Sequence, residues 1–499
     1  MRSRAGVAAI AGLLTVIIGG IVLLGGEDAS APPADLATRL VPADTLVYLH
    51  LSTDMERPGT KEAEAIARRF PGYERARADL VKRLTAPSCG VRASDLRGEE
   101  AALALIDPGG GTAGSLVLLD TGEEASGPQE DKLCGTIQTA RIGRFLVVGQ
   151  PQTLQIAKNL ARGKGRSLAQ APRYRAATAS LPDDRVLDGW VSQAGVRRLL
   201  APQGGVLGAA GTLLDQPRLE GAAVALTAGE KVARLTVRTA LGKASGGTTE
   251  TFRTFTPRRQ ADAPKGALAY LGVSGLTTGL QRVLAVTGSG SGGLAGLGPL
   301  LERARTQIGK EAGAGVVKEL LAVFGGETGL WLTPGLPAPT LTVTAGTDDE
   351  DAAAKALRAL ERPVARLLAP DGGSAPSWSR KDGIASLRLT AGVELHYAVA
   401  DGRVVLATKR QGVEQVLRDS GGLVDSEPWR AVLENPGKPT TSLVFLDLSQ
   451  LLRLAEQTGL RDNRSYLAVQ DDLNTVRSIG ARSTGNADET TAEILFSIP

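Results

Sequence analysis

Histidine, cysteine and aromatic side chains are scarce in this chain. Its 499 residues include two histidines, two cysteines and 3% aromatics. Neither His50 nor His396 has an HxxxH or cysteine partner nearby, so the usual local zinc patterns are missing. Few aromatics leave few stacking platforms, which argues against a sugar-binding or single-strand-binding surface. Net charge is only +4, with acids and bases interleaved and no long basic run, so no nucleic-acid footprint is present. There is no GxSxG elbow, no Asp-x-Asp-x-Asp-Gly calcium loop and no catalytic setting for either cysteine. A formal GxGxxG at Gly288, Gly290 and Gly293 follows a helical pattern rather than a strand, the wrong context for a dinucleotide. The acidic run Asp348–Asp351 reads as a helix start. No catalytic, cofactor-binding or metal residue is predicted.

What the chain does have is one long apolar run. Ala5 to Gly26 carries no charge and is long enough to cross a hydrocarbon core of roughly 30 Å. Arg2 and Arg4 precede it, and Glu27 and Asp28 follow. The positive-inside rule then places the N-terminus in the cytoplasm and the bulk of the chain outside, as a single-pass cell-membrane protein. The alternative is a cleaved signal peptide ending near Ala29-Ser30-Ala31, but the run exceeds a typical signal core. An exported chain sits where thiols oxidise, and Cys89 and Cys134 are the candidate disulfide. A bridge closing about 45 residues would contribute roughly 4 kcal/mol on the chain-entropy model. Otherwise they are two inert thiols.

Beyond the run, the sequence repeats itself. PADTLVYLHLS from Pro42 aligns without a gap with PKGALAYLGVS from Pro264. EEAALALI matches GETGLWLT, and GSLVLLD matches PTLTVTAG. GRFLVVG matches GRVVLAT, pairing Gly143-Arg144 with Gly402-Arg403. The next match sets Trp429 on Tyr174, and the last sets Ser449-Gln450 on Ser192-Gln193. Six matches in one order predict a duplication. Alternating strands interrupted by helices predict an α+β fold. The expected plan is a cytoplasmic tip and transmembrane anchor over 1–26, a linker over 27–35, a repeat unit over 36–241, a linker over 242–262 and a second unit over 263–499. Each unit is expected to hold mostly antiparallel sheet with helices packed on one face. Trp378, in the polar stretch GGSAPSWSRKDG, is either a contact aromatic or a side chain folded back on its own domain.

The opening LVPADTLVYLHLSTD…RFPG, the strand GEEAALAL and the strand–helix GRFLVVG resemble an uncharacterised bacterial domain-of-unknown-function family. Its members are typically membrane-anchored. The resemblance covers most of the chain after Ala34 and implies an exported, tethered protein, with no activity attached. The expected function is therefore a non-enzymatic binding or scaffold module of the bacterial cell envelope. Its partners are the membrane, through the N-terminal helix, and an envelope protein or apolar ligand. A carrier of lipid or another apolar ligand, and an envelope enzyme with a site hidden from sequence, are the alternatives. Alkaline phosphatase fused after Pro499 should be active, with the full chain in the membrane fraction and its N-terminus intact. A soluble mature form starting near Pro32 would sink the anchor.

Overall fold

The computed structural model describes residues 32–84, 98–109, 113–124, 132–134, 137–200, 218–242, 254–275, 324–336, 338–369, 375–388, 394–434, 437–486 and 488–499. The apolar run with Arg2, Arg4, Glu27 and Asp28, the glycine motif at 288–293, Cys89 and the side chain of Cys134 lie outside them. Among the described residues no helix is long and apolar enough to cross a membrane.

The first unit contributes β1 (Val47–Ser52), β2 (Glu100–Ile106), β3 (Gly114–Asp120), β4 (Lys132–Cys134) and β5 (Ile137–Ile142). It continues with β6 (Phe145–Gly149), β7 (Leu187–Ser192), β8 (Leu219–Ala228) and β9 (Val232–Leu241). The second contributes β10 (Ala269–Ser274), β11 (Glu327–Thr333), β12 (Thr340–Gly346), β13 (Trp378–Lys381) and β14 (Ile384–Arg388). Then come β15 (Glu394–Ala400), β16 (Arg403–Ala407), β17 (Ser442–Leu446), β18 (Ser478–Gly485) and β19 (Glu489–Ser497).

The fold is α+β, and these strands form one 19-stranded sheet. In space the first unit runs β4-β5-β6-β3-β2-β1-β7-β8-β9. The second runs β19-β18-β17-β10-β11-β12-β16-β15-β14-β13. Every neighbouring pair is antiparallel. The halves join where β9 pairs with β19, from Val232 opposite Ser497 to Ala240 opposite Glu489. The repeated opening strand has the same job in each half. β1 lies between β2 and β7, and β10 lies between β11 and β17.

Tyr48 stands opposite Trp190, and Tyr270 opposite Phe445. A third ring closes each set. Tyr174 stacks edge-on to Tyr48 with centroids 6.0 Å apart, and Trp429 to Tyr270 at 5.7 Å. The predicted match of Trp429 with Tyr174 thus holds in space. These rings anchor the core on one sheet face, with Leu154 and Ala157 of the helix Pro151–Ala161 in the first unit. Val413 and Val416 of the helix Arg410–Leu417 take that place in the second.

Helices cover both faces, whereas the sequence reading expected them on one face of each unit. Leu51 and Leu187, on the other face, pack under Ala63 and Ala67 of the helix Pro58–Ala67. Ala345, Tyr397 and Val404 likewise pack under Ala353 and Leu357 of the helix Glu350–Leu367. The reason is that several strands are apolar on both faces: β6, FLVVG, is buried at every position. A sheet apolar on both sides needs cover on both sides. The acidic run caps the second of these helices as expected, with Asp349 Oδ1 accepting from Ala352 N at 2.9 Å.

The segments read as linkers are partly built into the core. Residues 254–262 dock on the second unit, with Phe255 bridged to Thr440 and Asp262 buried. Each unit keeps a separate main core. Leu51, Leu187, Leu226, Leu235, Ile494, Ala481, Val444 and Leu271 nevertheless stand in register across eight adjacent strands spanning the junction. The fragment 263–499 should therefore fold cooperatively but self-associate through its bared β19 edge. Ile494→Lys, a charge on that edge, should return it to monomer in analytical ultracentrifugation. A fragment that is monomeric without the substitution contradicts this.

Candidate functional site

Four segments far apart in sequence bring their charges together beneath residues 32–40. His50 leaves β1 on the face that carries Tyr48, and Asp188 lies directly across from it on β7. Glu100 opens β2. Asp35 enters from the segment ahead of the short 3₁₀ helix Ala37–Leu40. His50 Nδ1 is 2.9 Å from Asp188 Oδ1, whose carboxylate also meets Arg185 Nε at 3.2 Å. His50 Nε2 is 3.3 Å from Glu100 Oε2, yet makes no well-aimed hydrogen bond. Both Glu100 oxygens accept from Leu36 N, at 3.0 and 3.1 Å, so the glutamate also caps the helix start. Tyr174 Oη donates to Asp35 Oδ2 at 2.5 Å, and Tyr48 Oη donates to Asp35 Oδ1.

The cluster is buried except at its margin: His50 is 0% exposed, Asp188 1% and Glu100 3%, while Asp35 is half-buried. Burial works to lower the His50 pKa, but the charges of Asp188 and Asp35 and the hydrogen bond to Asp188 overcome it and hold the pKa well above the ordinary histidine value. Burial pushes Asp188 up, and His50 and Arg185 bring it net below the usual carboxylate range. Burial, then Asp35, raises the pKa of both Tyr48 and Tyr174. One imidazole nitrogen of His50 and one carboxylate oxygen each from Asp35 and Glu100 lie within 4.8 Å of one another, and among the described residues these three are grouped closely enough to hold a cation.

The second unit has the same scaffold without the cluster. Glu327 opens β11 as Glu100 opens β2, and it accepts from Arg258 N and Arg259 N at 2.7 and 2.8 Å. But Gly272 stands in the place of His50 and Leu443 in that of Asp188. A Cβ at Gly272 would meet the Tyr270 hydroxyl at 2.9 Å, so the tyrosine fills the space that the histidine takes in the first unit.

His396, the other histidine, is satisfied at both nitrogens, by Ser386 Oγ at 2.8 Å and Glu394 Oε2 at 2.9 Å. Trp378 folds back: its Nε1 donates to Glu361 O at 2.8 Å, and its ring meets Tyr397 edge-on at 5.4 Å. Asp35, Glu100 and Asp188 escaped the sequence reading because no local spacing links them. Their one visible trace was the mismatch of His50 with Gly272 between otherwise matching strands.

A second feature lies at the junction of the units. A recess of about 300 Å³ is floored by Val432, Leu433, Leu443 and Leu495, with Arg234, Glu434 and Lys438 on its rim. Arg482 and Glu493, opposite each other on β18 and β19, pair at 2.5 Å in its lining.

No family model matches the chain, and no curated protein matches it. Among solved structures it is similar to TP0453. Crystal form I gives 11% identity over 43% of this chain and 82% of that one, with a TM-score of 0.25. Crystal form III gives 16% identity over 44% and 84%, with a TM-score of 0.26.

Asp188→Leu leaves His50 and Arg185 without their shared carboxylate and should destabilise by about 3–5 kcal/mol in urea unfolding. Adding His50→Gly, which installs the second unit's pair of residues, should recover part of that loss. A double variant no more stable than the single one would show that the two side chains are not coupled.

Proposed function

We propose that the chain is a membrane-tethered, extracytoplasmic module of the cell envelope that binds a partner rather than catalysing a reaction. One contrast supports this reading. His50, Asp188 and Glu100, the groups equipped for proton transfer, are buried and only Asp35 reaches the margin, whereas the junction recess is lined from both units and carries exposed groups on its rim. Its floor is apolar and its rim charged, the composition of a contact pocket. Its roughly 300 Å³ suits one anchoring side chain or a small ligand better than an extended acyl chain, which sets the carrier reading second. The partner in this reading offers an apolar side chain flanked by charge.

A photo-cross-linking residue at Lys438 or Arg234 in the full chain, expressed in its own membrane, should give one discrete adduct. The same residue at Leu336, which is 92% exposed and outside the recess, should not. Identical adducts from both places, or none from the rim, would overturn the assignment.

A further inference from the structure

We propose that Asp35, His50 and Glu100 form a site for one divalent transition-metal cation, with zinc as its natural occupant. This goes beyond the binding role above and does not depend on it. His50 is held at Nδ1 by Asp188, which leaves Nε2 buried, without a hydrogen-bond partner and 3.3 Å from Glu100 Oε2, in a cluster that Asp35 completes. A carboxylate that orients a histidine through one nitrogen while the other faces a metal is the usual support of a ligating imidazole. The spacing fits as well. Ligand bonds of about 2.0–2.1 Å arranged tetrahedrally put neighbouring ligand atoms roughly 3.3–3.4 Å apart. His50 Nε2 and Glu100 Oε2 are 3.3 Å apart.

The two carboxylates are positioned without help from His50. Tyr48 and Tyr174 orient Asp35, and backbone amides orient Glu100. Imidazole nitrogen and carboxylate oxygen are both donors that zinc accepts, and three of them leave a fourth position for water. The duplication adds an independent reason. The second unit folds with Gly272 and Leu443 in these places, so the scaffold does not need the cluster. Burying such charges is expensive, and a cation bound between them gives them a role that the fold alone does not. Its place also suggests its effect: it would clamp the segment 32–40 onto the sheet.

The full chain in detergent micelles, stripped with a chelator and dialysed against zinc, should retain one zinc per chain and melt at a higher temperature than the stripped form. His50→Gln and Asp35→Asn should each lose that zinc, while His396→Gln keeps it. Asp188→Asn should weaken zinc binding by about 10–100-fold through the loosened imidazole. Asp35 sits at the margin of the cluster, so Asp35→Asn decides the matter if His50→Gln fails to fold. Retention of zinc by Asp35→Asn, or no stoichiometric zinc in the unaltered chain, would overturn the site and leave His50 as a buried partner of Asp188.

Discussion

The pairing of β9 with β19 is the constraint on which the rest of the architecture depends. Each unit ends in a hairpin, and the last strand of a hairpin is an open edge that invites pairing with any other chain. Here the two last strands close each other through nine residue pairs. Contacts outside the ladder reinforce the seam. Arg238 meets Glu489 at 2.8 Å, Gly72 N donates to Asp472 Oδ1 at 2.8 Å, and Arg69 Nη2 donates to the carbonyl of Glu230 while its Nη1 reaches that of Ile498. Once the inner edges are used, only β4 and β13 remain outermost among the described strands. Both are short, and β13 exposes Arg380 and Lys381, which suits an edge that must stay unpaired. Two copies of one unit thus become a single sheet whose long edges are spent on each other.

That arrangement makes each unit a control for the other. The aromatic triad and the glutamate that caps a 3₁₀ helix occur in both, so they belong to the scaffold. Glu100 and Glu327 take the same place and accept from the same kind of backbone donors. His50, Asp188 and the tyrosine-bound Asp35 occur in one copy only. In the other copy the Tyr270 hydroxyl is buried without a hydrogen-bond partner. A difference inside a matched frame says more than a buried charge seen alone, because the frame shows what the fold tolerates in its absence.

The same comparison shows how far the sequence could be read. The succession of strands along the chain, the repeat of that succession and the ring pair Tyr174 and Trp429 were legible because apolar alternation and bulky side chains leave local traces; the order of strands in the sheet was not read. Fine register was not legible either. Ser192 and Ser449 share a Ser-Gln dipeptide, but the ladders place Ser192 on Asp447. Those two are the true equivalents, since Ser192 caps through Gly195 N and Asp447 through Gln450 N. Capping needs an oxygen rather than a particular residue, so identity misled where chemistry would not have. Gly143-Arg144 and Gly402-Arg403 slip in the same way, by one position. Arg144 grips Asp120 with two bonds, at 2.7 and 2.6 Å, whereas Arg403 spans Asp262 and Asp419. The charged cluster was illegible for a different reason: its members come from four segments that only the folded sheet brings together.

The position of Asp35 ties the buried cluster to the expected tether. With an anchor ending at Gly26, about nine residues separate the membrane from Asp35, a reach of at most about 30 Å. Asp35 is not free to swing on that leash, because two tyrosine hydroxyls hold its carboxylate and Glu100 holds the amides that follow. The stretch read as a linker therefore ends inside the first unit. Asp35 and the residues after it belong to the packed first unit and not to a free connector.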